Sequence, residues 1–72
     1  MRLMVFPDAL RPHVEGTAAR AFGHAGAPDG LTLTVVHMPA TRDWSVHATG
    51  LDDPVVERGL CDVVREALRR AR

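Results

Sequence analysis

The stretch LTLTVVHMPATRDWSVHAT, Leu31 to Thr49, holds two runs of two-residue alternation around a short break. Leu31, Leu33, Val35 and His37 alternate with Thr32, Thr34, Val36 and Met38, and Trp44, Val46 and Ala48 then alternate with Ser45, His47 and Thr49. A period of two marks strands with one buried face. Directly opposed residues of an antiparallel pair share a face, so only registers that set Leu33, Val35 and His37 against Trp44, Val46 and Ala48 keep the core apolar. Pairing Met38 with Asp43 does this. It leaves Pro39 to Arg42 as the loop and predicts Val35 opposite Val46, Leu33 opposite Ala48, and His37 opposite Trp44.

Upstream of this hairpin, Leu3 and Val5 alternate with Met4 and Phe6 before Pro7-Asp8, which predicts a short edge strand. Leu10, Val14, Ala18, Ala21, Phe22 and Ala25 follow at steps of three and four, one side of a helix turning about 100° per residue. Asp8 is placed to cap that helix, Pro12 fits only its first turn, and Gly23 and Gly26 end it. Gly16, on the opposite side, costs about 1 kcal/mol relative to Ala. Downstream, Asp53 as N-cap and Pro54 as first helical residue open a second helix reaching Arg70. Val56, Leu60, Val63, Val64, Ala67, Leu68 and Ala71 form its expected buried stripe, with Cys61 at the edge of it. The order is β-α-β-β-α, a two-layer α+β domain with a small antiparallel or mixed three-stranded sheet and two helices on one face.

Seventy-two residues allow one such domain, spanning 1–72, and no more. Nine Arg balance six Asp and three Glu, and Lys, Ile, Asn, Gln and Tyr are absent. Without Lys there is neither a P-loop lysine nor Schiff-base chemistry, and the missing Tyr and Asn remove two common catalytic and base-reading side chains. Cys61 is the only cysteine, so one chain makes no disulfide framework or clustered-thiolate zinc site. The start MRLMVFPD has no signal-peptide core and no apolar run is long enough to span a membrane, which points to a cytoplasmic protein with no membrane partner.

Chemistry-bearing residues are sparse. The hairpin register puts His37 and His47 on opposite sheet faces, so they cannot share a metal, and neither His13 nor His24 has a ligand at metal spacing. Neither a metal site nor a cofactor site is expected. Asp62 beside Cys61 does nothing to stabilise a thiolate, and Ser45 lacks a nucleophile-elbow context, so no catalytic residue is assigned. Gly23-His24-Ala25-Gly26 matches a nucleic-acid-gripping GxxG loop, but lacks both the following helix and a Lys or Arg, so a glycine helix stop explains it.

Two surfaces remain. Arg58, Arg65, Arg69 and Arg72, spaced by seven, four and three, line one solvent side of the last helix, with Arg70 beside them, an anion-binding stripe suited to RNA phosphates. The sheet face away from the helices carries Met4, Phe6, Thr34, Val36, Met38 and His47, an interface candidate for another protein or a homodimer.

Two segments carry a family resemblance. Asp8-Ala9-Leu10-Arg11-Pro12-His13-Val14-Glu15 resembles the first-helix opening of the ribosome hibernation-promoting factor family. His47 to Pro54, followed by Cys61 to Arg70, resembles that family's last strand and final helix. The resemblance implies a β-α-β-β-β-α domain that binds the RNA channel of the small ribosomal subunit through basic helix faces. The matching basic positions are Arg11, Arg20, Arg65, Arg69 and Arg70. The leading expectation is therefore a non-catalytic binding module associated with ribosomal RNA. The alternative is a protein-interaction or adaptor module that homodimerises through the outer sheet face, and the third is a small enzyme using Cys61 or a histidine.

Overall fold

A computed structural model describes residues 1–71. The strands are β1 (Arg2–Phe6), β2 (Thr32–Met38) and β3 (Asp43–Thr49), and the helices are α1 (Arg11–Phe22) and α2 (Pro54–Arg70). The sheet order is β1-β2-β3. The hairpin pairs residue for residue as the alternation predicts, with Met38 opposite Asp43, His37 opposite Trp44, Val35 opposite Val46 and Leu33 opposite Ala48. β1 lies parallel to β2, with Leu3 beside Leu33 and Val5 beside Val35, so the sheet is mixed. Two parallel strands need a crossover, and α1 is that crossover. The sheet has three strands among the described residues, where the family resemblance implies four.

Both helices cover the face made by Leu3, Val5, Leu33, Val35, Val46 and Ala48, and Val14, Cys61, Val64 and Leu68 close the core over it. Leu33, Val35, Val14 and Val64 are wholly buried.

Three local expectations are corrected. Asp8 does not cap α1: residues Asp8–Leu10 form a 3-10 turn, Leu10 takes the cap position without a side-chain bond, and the Asp8 carboxylate accepts from Arg11 Nε at 3.1 Å. Ala25 is exposed in a second 3-10 turn beyond Gly23, and Thr17 is buried on α1 instead. The buried stripe of α2 is rotated from the expected one. Val56 and Val63 are 44% and 49% exposed, while Cys61 is in the core at 8%. A valine is apolar wherever it stands on a helix, so the rotation follows from which side β3 can reach. The start of α2 matches its reading, with Asp53 Oδ1 accepting from the N–H groups of Val55 and Val56 at 3.0 and 3.3 Å.

Candidate interaction surfaces

The outer sheet face is assembled by the two registers together. Phe6 lies beside Val36, Met4 beside Thr34, and across the hairpin Thr34 faces His47 and Val36 faces Ser45. Side chains on adjacent strands at such pairs touch or nearly touch. Phe6 is 50% exposed, Met4 37% and Met38 38%, and Val36 is half-buried between them. The β1–β2 half of the face is thus apolar at Met4, Phe6, Val36 and Met38, with the exposed Arg2 beside Thr32 at its far end, and the β3 half, with Ser45, His47 and Thr49, is polar.

The arginines are placed very differently. Arg69 grips Asp43 at the start of β3 with two parallel bonds of 2.9 Å, Nε to Oδ1 and Nη2 to Oδ2. Arg65 pairs with Asp62, and Arg70 Nε meets Glu66 Oε1 at 3.0 Å. Arg11 is a structural clip: its Nη1 donates to the Leu3 carbonyl at 2.8 Å while its Nε holds Asp8, tying α1 to β1. Arg20 Nη2 reaches Thr17 Oγ1 at 3.4 Å. Arg58 is exposed and has no acceptor among the described residues. Arg72 lies outside the described residues. Four of the predicted anion-binding arginines thus already face a carboxylate, which sequence spacing could show for Arg70 and Glu66 but not for Arg69 and Asp43, twenty-six positions apart.

The Arg69 guanidinium, helped by the Trp44 backbone N–H, holds the Asp43 carboxyl down to about 2. Unfolded aspartates titrate near ~3.9. A carboxyl whose folded value is depressed contributes stability that is present above the unfolded value and is lost as pH falls through the folded one. The contribution of this exposed pair is expected to fade between about pH 4 and pH 2 and to shrink with added salt. Urea midpoints at pH 7 and pH 2.5 should therefore differ less for Asp43→Asn than for the wild type.

His37 and Trp44 stack with centroids 4.7 Å apart, and His13 of α1 approaches the same indole at 6.1 Å. Neither His37 nor His13 shares a cluster of metal-ligating groups among the described residues. Burial pushes the Cys61 thiol above its ordinary range, against the downward pull of the Ala48 backbone N–H facing it and of Arg65. A neutral, buried thiol is a poor nucleophile. No described helix is long and apolar enough to cross a membrane. No family model, curated protein or solved structure matches the chain.

Proposed function

We propose that this chain is a small protein-interaction module that pairs with a second copy of itself through the outer face of its sheet. The observation that supports this most is the juxtaposition of Phe6 with Val36, flanked by Met4 and Met38, on a face that no helix among the described residues covers. Exposed apolar patches without charge mark contact surfaces. A two-fold contact sets the same patch on both partners, and the charge on this face, Arg2, lies beside Thr32 at the opposite end of β1 from Phe6. The arginine set fits an RNA surface less well, because Arg11, Arg65, Arg69 and Arg70 are matched by carboxylates of their own chain.

Sedimentation velocity at about 100 μM should show a dimer, and Val36→Glu or Phe6→Glu should raise its dissociation constant more than about tenfold by burying an unpaired charge. A chain that stays monomeric at that concentration would sink the reading. The ribosomal-RNA reading draws on Arg58, Arg65 and Arg69 sharing one side of α2. It would displace the dimer reading if filter binding gave an RNA affinity that falls steeply with salt and falls further for Arg58→Glu.

A further inference from the structure

The open edge of β3 borders a groove of about 350 Å³ that the outer-face reading does not use. One bank is Val46, His47 and Ala48 of β3; the other is the overhanging side of α2, including Glu57, Arg58, Cys61 and Arg65. The buried Val46, Ala48 and Cys61 make an apolar base between these polar walls.

The backbone of β3 is phased for pairing outward. The Arg2 N–H donates to the Leu31 carbonyl, so Leu33 and His37 turn their backbone groups to β1, and Ala48 and Trp44 opposite them turn theirs away from β2. Val46 lies between them with the same parity, so its N–H and C=O also point into the groove. Unpaired strand edges bind extended chains by adding a strand, with alternate side chains filling the adjacent pockets.

The wall charges select the occupant. Asp62 is paired with Arg65, and the Glu57 carboxylate accepts from the Leu51 N–H at 3.0 Å. Arg58 is the cation on this wall with no acceptor among the described residues. A second copy of β3 is a poor fit, because it would bring its own α2. Paired strands sit about 4.8 Å apart, whereas packed helices need about 8–10 Å. A bare extended segment meets no such clash.

We infer that the β3–α2 groove binds an extended peptide segment of another protein as a fourth strand, with small apolar side chains alternating over Val46, Ala48 and Cys61 and a carboxylate on Arg58.

The test uses the full chain and a fluorescein-labelled peptide, Thr-Val-Thr-Val-Thr-Glu. Anisotropy should show saturable binding below about 1 mM, and Arg58→Gln should weaken it about threefold or more. Two versions of the peptide, N-methylated on the Thr amides or on the Val amides, should differ more than about tenfold, because only one set of amides faces β3. Amide shifts of Val46, His47 and Ala48 should move on titration. The inference is overturned by no saturation, by equal binding of the two methylated peptides, or by shifts confined to Met4, Phe6 and Val36. The last result would place the peptide on the outer face. A Val46 amide protected from exchange before peptide is added would identify a second copy on this edge and overturn the choice of occupant.

Discussion

Gly50→Ala is expected to destabilise the fold by at least about 3 kcal/mol, an unusually large effect for adding one methyl group to an exposed residue. Gly50 follows β3 and has a φ of +93°, a backbone conformation that L side chains rarely adopt. Its Cβ would lie 2.0 Å from the carbonyl oxygen of Gly30, a backbone atom with no rotamer to change. Gly30 can move only by pulling Leu31, which is buried and whose carbonyl accepts the Arg2 N–H at 2.9 Å. One methyl at this crossing therefore strains the turn, lifts a core leucine and loosens the first rung between β1 and β2. Gly26→Ala separates the two causes. Its φ is +70° and its ψ −175°, a region essentially reserved to glycine, but its Cβ would meet nothing within 4 Å, so it should cost only the conformational penalty of about 1–3 kcal/mol. Thermal melts read the difference, since 1 kcal/mol shifts a midpoint by roughly 4–8 °C in a domain of this size. Equal melting of the two variants would mean the Gly30–Gly50 approach relaxes freely.

The parts of this fold legible in the sequence are those in which local pattern and tertiary demand coincide. The hairpin register was readable because alternation leaves few registers that keep Trp44, Val46 and Ala48 on the side of Leu33 and Val35. The α2 start was readable because Asp53-Pro54 satisfies cap chemistry without help from elsewhere. The partner and direction of β1 were not legible: the alternation of Leu3 and Val5 with Met4 and Phe6 separates its two faces but names neither its neighbour in the sheet nor its sense. Only the α1 crossover makes it parallel to β2 and brings Phe6 to Val36. The rotation of α2 was hidden because Val55, Val56, Val63 and Val64 are distributed around the helix.

The charge pattern of α2 changes its meaning once the fold is known. The acids near its start and the arginines near its end suit the helix dipole, and by themselves leave an anion-binding end open. The Arg69–Asp43 clamp instead uses that end to anchor the helix to the first residue of β3, while Asp53 at the opposite end caps it. Since α2 runs antiparallel to β3, the clamp near one end and the burial of Cys61 in the same core as Val46 and Ala48 farther along set both the tilt and the rotation of the helix. That rotation places Arg58 beside the open β3 edge.

Leu33→Ala should be the most damaging truncation in the core, at about 2–5 kcal/mol. Leu33 is wholly buried at the centre of the middle strand, with Leu3 on one side, Ala48 on the other and the helices above. Its two strand neighbours are tied to it by the ladder and cannot close the gap by sliding. The loss is therefore both the transfer free energy of the removed carbons and the cavity they leave. A domain of this length is stabilised by only about 4–11 kcal/mol in total, so the variant should melt some tens of degrees lower or unfold at 37 °C. Val63→Ala is the matching control. Sequence periodicity puts Val63 in the core, but at 49% exposure it has half its surface in water already, and its truncation should cost less than about 0.5 kcal/mol. Urea titrations with unchanged slopes would report the two effects cleanly. A Val63→Ala loss comparable to that of Leu33→Ala would show that α2 sits on the sheet by its other side, and would detach Arg58 from the β3 groove along with it.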